Sequence, residues 1–388
     1  MNYGWARRLH FLLAMEEVIV VGSGPAGCTA AIALTLRGRE VLILERDQHP
    51  REKLCAGGLP PKVVGALPVD VEGVVEQQVD RLRFRYRGKH ELELTFERPV
   101  IHMVRRDRLD QRLAEKAVQL GARLLEGLRV VRLSTNGGRV RVETTNGSFE
   151  ARAVVAADGA LGSGAKVLGR EGVRRCPAVQ AEVKVSGDQM VYWEGRLGCD
   201  FGAVPGGIGW VFPKRESLSV GACTFRPPVD LKRALERYIH LEGIRPAGPL
   251  VIKAHPLAVW DGRREFSRGG ILVAGDAAGL VNPLTGAGIR RACISGQLAA
   301  EAVHAYLAGG ARCVKDLGSY DRRVVADLVD ELKRARLFGR LFYRAPSFFY
   351  RIGVMNARIN PFVGQLLSGQ KSYLEVFREL VSGEWIRR

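Results

Sequence analysis

The hydrophobic pattern changes period several times along the chain, and each change marks an element. From Val18 a β-branched run, VIVV, meets a glycine turn, an alanine-rich stretch, CTAAIALTLRG, and a second apolar run, VLIL, ending at Glu45. That succession predicts a βαβ unit. Between Pro50 and about His102, RLRFRYR and HELELTF alternate polar and apolar positions between Gly- and Pro-rich turns, which predicts antiparallel strands. Residues 103–168 return to a helix, RLDQRLAEKAVQLGA, and then to strands that include RVRVETT and VVAADG. From Val173 to Ser267 the chain again reads as strand, punctuated by proline and glycine. GGILVAGDAAG supplies one more buried strand, and the remainder to Arg388 reads as mainly helix. The expected architecture is α/β. A Rossmann-type three-layer domain draws on 15–60, 103–168 and 268–310, an antiparallel-sheet domain on 61–102 and 169–267, and a helical cap on 311–388.

Composition narrows the class. With 388 residues, 46% hydrophobic content and 46 glycines, the chain can bury a large core and make many tight strand-to-helix turns. A net charge of +18 would suit nucleic acid, an anionic membrane surface or phosphorylated substrates. No long Lys/Arg run or RNA-binding motif occurs, so nucleic acid is not expected. Seven cysteines at irregular positions, with no CxxC pair, form neither a disulfide scaffold nor a zinc site. No metal is expected, and a reducing cytoplasm is the simplest compartment. Met1 to Ala14 read as a dispensable extension ahead of Met15. No apolar stretch approaches the roughly 20 residues that span a bilayer, so any membrane contact is expected to be peripheral, on the inner face.

In VIVVGSGPAG, Gly22, Gly24 and Gly27 fall at GxGxxG spacing between a strand and a helix, with Ser23, Pro25 and Ala26 completing the turn. The first glycine permits the turn, the second lets a pyrophosphate approach the backbone, and the third lets helix and strand pack closely. Glu45 closes the next strand 18 residues after Gly27, near the spacing of about 20 expected of a carboxylate that binds ribose hydroxyls. NAD and FAD share this fingerprint.

A second motif separates them. GGILVAGDAAGLVNPLTGAGIRRA, ending at Ala292, resembles the second flavin motif of the glutathione-reductase-type FAD fold, in the branch of aromatic hydroxylases and geranylgeranyl reductases. The resemblance places Gly275 and Asp276 at the ribityl and pyrophosphate region and Pro283 beside the flavin ring. Gly286, Gly288 and Ile289 would offer N–H groups to the ring edge, where reduced flavin gathers negative charge. Arg106 and Asp110 in RRDRLD match the family's R-x-x-F/L-D element, and Asp158 and Gly159 in VVAADG match the strand that returns to the FAD domain. Arg46 and Val130 are carried over as further cofactor contacts.

KLCAGGLPPK resembles the CxGG element of geranylgeranyl reductases, which implies that Cys55, Ala56 and Gly57 lie near the flavin, with Cys55 the candidate catalytic residue. GIGWVFPKRESLSVGACT resembles their Y-x-W-x-F-P-K element and implies a substrate-cavity wall of Trp210, Phe212, Pro213 and Lys214. Ile208 stands where that family often has tyrosine, and Ala287 where it often has glutamate or glycine. The implied protein is an FAD-dependent oxidoreductase that transfers hydride to a C=C bond of an isoprenoid: a geranylgeranyl-type lipid, a prenyl diphosphate or a quinone side chain. The matching proton would come from Cys55, Tyr192, His255 or water. The electron donor, NAD(P)H or ferredoxin with or without a partner reductase, stays open. Two alternatives remain: an NAD(P)H-dependent flavin monooxygenase of the aromatic hydroxylase type, and a non-catalytic prenyl-binding escort protein. Between Phe338 and Phe362, aromatics interleave with Arg340, Arg344, Arg351 and Arg358, a surface suited to a polyprenyl phosphate or an anionic membrane.

Overall fold

A computed structural model describes residues 15–169, 175–226, 228–309, 317–356, 358–367, 371 and 373–382. Residues 1–14, read above as an extension, lie outside that set. The predicted βαβ unit forms β1 (Met15–Val21), α1 (Pro25–Thr35) and β2 (Val41–Leu44), with β1 and β2 parallel. Their β-branched and leucine side chains are fully enclosed, as befits strands covered on both faces. The parallel sheet runs in the order Ile271–Val273, Gly147–Ala156, β1, β2, Arg123–Leu125. Gly147–Ala156 also leads an antiparallel meander with Arg139–Thr144 and Val130–Asn136.

Small residues set how closely the helices cross. α1 is alanine-rich and packs along the Ile289–Ala308 helix. A Cβ on Gly296 would lie 2.2 Å from the Ala26 carbonyl oxygen, so the two backbones touch. The two sequence motifs, far apart in the chain, are thereby held side by side.

The second sheet has seven strands, in the order Lys253–Ala258, Arg175–Val183, Leu218–Thr224, Gly207–Pro213, Arg196–Phe201, Arg81–Tyr86 and Lys89–Thr95. All pairs are antiparallel except Arg196–Phe201 with Arg81–Tyr86. One face is covered by the helix Leu231–Leu241. That helix lies inside the stretch that reads as strand. Leu231, Ala234, Leu235, Tyr238 and Ile239 recur at helical spacing and are its buried side, capped by Asp230, whose carboxylate accepts from the Arg233 N–H. The opposite face carries Ile208, Trp210 and Phe212 at alternate positions of one strand. A third, three-stranded sheet joins Gly58–Leu59, Ile101–Val104 and Val75–Val79. From Gly318 onward the described chain is helical, and among the described residues no helix is long and apolar enough to cross a membrane.

Candidate active site

One cavity of about 1180 Å³ reaches from the glycine turn after β1 to the C-terminal helices. At its first end the three fingerprint glycines have separate geometric reasons. Gly22 has φ +94°, and a Cβ there would lie 2.7 Å from the Ala157 oxygen. On Gly27 a Cβ would lie 1.8 Å from the Gly22 oxygen, so this glycine is a packing requirement. Gly24 instead faces the cavity, where a Cβ would meet only Arg51 Nη2, at 3.5 Å.

Glu45 is buried yet ionised. Burial alone would raise its pKa, but Arg51 and the bonds from Ser23 hold its carboxyl below the usual carboxylate range. Ser23 donates to Oε2 from N–H at 2.8 Å and from Oγ at 2.6 Å, and Asp47 donates to Oε1 from N–H at 3.1 Å. Asp110, also buried, receives a bidentate pair from Arg106 at 2.8 and 2.9 Å and lies 3.1 Å from Arg51 Nη2. Arg51 Nε is buried, 3.4 Å from Glu45 and without a hydrogen-bond partner. Glu45, Arg51, Asp110 and Arg106 thus form one chain of alternating charge. Arg51 carries no motif signal, because its role depends on carboxylates that come from two other elements.

The second motif closes the same cavity. Asp276 sits in the turn Gly275–Ala278 after the Ile271–Val273 strand and lines the cavity with Gly286, Ala287, Gly288 and Ile289. Asn282 organises this loop, accepting at Oδ1 from the N–H groups of Leu284 (2.8 Å) and Thr285 (3.2 Å). The Ile289–Ala308 helix begins at the cavity, so its unpaired first-turn N–H groups and dipole favour negative charge there. Arg46, Val130, Asp158 and Gly159 also line the cavity. The Asp158 carboxylate is engaged by Ser163 and Gly164, and burial raises its pKa.

CAGG and WVFPK, separated by some 150 residues, meet directly. Gly57 has φ +76°, and a Cβ on Gly58 would lie 2.9 Å from Phe212. Cys55, Ala56, Gly57, Trp210 and Phe212 line the cavity. Lys214 does not: it is 2% exposed, and its ammonium donates to the carbonyls of Ala56 at 2.6 Å and Val104 at 2.7 Å. Burial lowers its pKa. The lysine that the motif assigned to a substrate wall is therefore a clasp under the CAGG loop. Ser23, Gly27, Gly275, Pro213 and Pro283 are likewise supports behind the lining. Tyr192, nearly half-exposed beneath Arg196, does not line the cavity, whereas Cys55 and His255 do.

Beyond Trp210 the lining is apolar, with Phe84, Leu197, Phe201, Phe342 and Val354. The arrangement joins a dinucleotide cradle to an oil-like recess. The cradle suits a dinucleotide on its own terms: Glu45 for ribose hydroxyls, Gly24 beside the Arg51 guanidinium for a pyrophosphate, and a helix N-terminus at the far end.

Comparison with known proteins gives the same assignment. Residues 15–323 match the family described as FAD binding domain, which makes the chain an FAD-dependent oxidoreductase. The chloroplastic geranylgeranyl diphosphate reductase of Oryza sativa subsp. japonica is 32% identical over 357 residues, covering 85% of this chain and 75% of that protein. The menaquinone reductase of Mycobacterium tuberculosis strain H37Rv is 31% identical over 312 residues, covering 74% of this chain and 76% of that protein. The crystal structure of a geranylgeranyl bacteriochlorophyll reductase-like protein from Thermoplasma acidophilum superposes with a TM-score of 0.75 at 22% identity, over 95% of this chain and 100% of that one. The chain belongs to the geranylgeranyl reductase family, and its cofactor is FAD.

Proposed function

We propose that the protein reduces carbon–carbon double bonds in the isoprenoid chain of a lipid, lipid precursor or quinone. The observation that carries this reading is the continuity of one cavity from the dinucleotide cradle into the apolar recess beyond Trp210 and Phe212. In this reading Gly22, Gly24, Pro25, Ala26, Glu45, Arg46, Arg51 and Arg106 hold the nucleotide half of FAD. Asp276, Gly286, Gly288 and Ile289 serve the flavin half, with Val130, Asp158 and Gly159 alongside. Bound and reduced, FAD supplies hydride. An unactivated alkene is a poor hydride acceptor, so the chain's own residues must exclude water and fix the double bond in place. Trp210, Phe212 and Phe201 supply that dry wall, and the clasped CAGG loop forms its floor. We propose the same division of labour for the domains: 15–60, 103–168 and 268–310 for the cofactor, 61–102 and 169–267 for the substrate, and 311–388 as a cap.

The test is anaerobic. Dithionite-reduced protein, mixed with geranylgeranyl diphosphate, an unsaturated archaeal-type lipid and menaquinone, is expected to add two hydrogens per reduced bond to at least one of them, read by mass spectrometry. No mass gain across the panel, together with NADPH-dependent oxygen uptake stimulated by an aromatic substrate, would replace this reading with a monooxygenase.

The C-terminal helices support a peripheral membrane site. Leu337 (59% exposed), Leu341, Phe348 (57%) and Ile352 form an apolar surface with exposed Arg340, Arg344 and Arg351, and Phe338 and Ile352 also line the cavity. Vesicles containing phosphatidylglycerol are expected to co-sediment with the protein, and Phe348→Asp combined with Arg344→Glu to remove most of the bound fraction. Equal sedimentation of the variant would place the membrane contact elsewhere.

A further inference from the structure

Lys53 and His255 form a pair that the cofactor cradle does not use. The Lys53 Nζ lies 2.6 Å from His255 Nε2, and both side chains line the cavity. With Lys53 protonated the ammonium only donates, so Nε2 is the acceptor and the proton of the neutral ring is assigned to Nδ1. Burial first, then the Lys53 cation, hold the imidazole down to about 4, so the ring is neutral at neutral pH. Burial also lowers the Lys53 ammonium and makes it a stronger acid than an ordinary lysine. The surrounding charges come from several elements: Asp276 favours both cations and Arg106 opposes both, Arg51 opposes the ammonium, Arg46 opposes the imidazolium, and Cys55 acts on Lys53. On the outer side Lys253 and Glu52 pair with each other.

The position of His255 is as informative as its partner. It precedes Leu257 by two residues on the strand Lys253–Ala258, so both share a face. Leu257, like Ile208, Trp210 and Phe342, packs against the buried cluster of Ala178, Phe225, Val281 and Tyr343, and a Cβ on Gly286 would lie 3.2 Å from its Cδ1. Along this face the lining passes, within two residues, from apolar recess to the ionic surroundings of Asp276. That boundary is where an alkene must sit to meet a cofactor held by the Gly286 to Ile289 turn.

We propose that Lys53 and His255 are the proton relay of double-bond reduction, an inference that rests on the isoprenoid reading above. Hydride, supplied by the reduced cofactor, bonds to one carbon of the double bond. The π electron pair forms the second C–H bond on the neighbouring carbon, using the proton of His255 Nδ1. In the same step Nε2 takes a proton from Lys53, so no imidazolate forms and the lysine is left as a neutral amine. Solvent protonates it again before the next turnover. One hydride and one proton are added and one π bond is lost, which balances the reduction.

The test uses the full-length, FAD-loaded protein in two arms. With nitrogen-15 in its histidines, and His255→Gln to identify the signals, wild-type His255 is expected to titrate near pH 4 with an unprotonated Nε2. Lys53→Met should move that titration upward, because a neighbouring cation is lost. In the dithionite assay, Lys53→Met and His255→Gln are each expected to lower kcat about 100-fold with KM and the flavin absorbance unchanged. Lys53→Arg keeps the charge but gives up no proton near neutral pH, and it should fail to restore kcat, whereas a merely structural lysine would be rescued. A kcat within twofold of wild type in either deletion variant, or a His255 titration unmoved by Lys53→Met, overturns the relay alone. Wild-type protein that reduces no prenyl substrate overturns the isoprenoid reading and the relay with it.

Discussion

Gly27→Ala is expected to give a colourless protein. The new Cβ would lie 1.8 Å from the Gly22 carbonyl oxygen and 3.2 Å from Val20 Cγ1. The first of these is backbone, so no side-chain rotation relieves it. Helix and turn must separate, at a stability loss of about 1–3 kcal/mol for overpacking a buried site. The same displacement moves Gly24, Pro25 and Ala26, whose backbone would approach the pyrophosphate. Flavin absorbance per chain after purification, and the thermal unfolding midpoint with and without added FAD, should both fall. Gly24→Ala is the matching control. Its Cβ meets only the far end of Arg51 at 3.5 Å, so the fold and midpoint should be retained while FAD binds more weakly. Full flavin content in Gly27→Ala would remove the glycine turn from the cofactor site.

Lys214→Met should separate structure from turnover in the opposite sense. It preserves an unbranched apolar stem but removes the ammonium from beneath the CAGG loop, leaving that loop the bonds from Gln180 to the Cys55 carbonyl and from the Val104 N–H to the Gly57 carbonyl. The carbonyls of Ala56 and Val104 lose their ammonium, at about 1–3 kcal/mol for each buried acceptor left unsatisfied. Removing a buried cation offsets part of that loss. The variant is therefore expected to fold and to carry FAD. Its loop is held less firmly at Ala56, and a displacement of about 1 Å at a reacting centre lowers kcat/KM on the order of 100-fold. Faster alkylation of Cys55 by iodoacetamide would report the same movement without turnover. Wild-type kcat/KM and an unchanged alkylation rate would reduce Lys214 to filling space.

What the sequence discloses here depends on how local the cause is. The βαβ unit and its glycines lie within one short run, and Gly27 answers a clash with Gly22 in the same turn, although the clash at Gly22 is with Ala157 just past a distant strand and Gly24 faces open cavity. The parallel sheet, the antiparallel sheet and the helical end follow from hydrophobic period in the same way. Lys214 shows the limit. Its motif gives its identity, but the direction of its ammonium depends on where residues 56 and 104 come to rest. Arg51 is harder still, since it borrows Glu45 from the end of β2 and Asp110 from the helix Arg106–Gln119. His255 sits on an edge strand, and only folding brings it to Lys53. Helix Leu231–Leu241 had a readable apolar spacing, hidden among prolines and glycines that signal strand breaks on either side.

The backbone contact between Gly296 and Ala26 has a wider meaning. A Cβ on Gly275 would also come within 3.0 Å of Ala26 and 3.3 Å of Ala292, so the two motif turns and the two helices behind them share one tight seam. On the reading proposed above, the seat for FAD is thereby preorganised: the seam fixes the separation of both anchors, and little ordering is left to oppose binding. Adaptation to a new lipid is correspondingly one-sided. Ile208, Trp210 and Phe212 face the recess and lie outside the seam, whereas any side chain larger than hydrogen at 296 would spread both anchors at once.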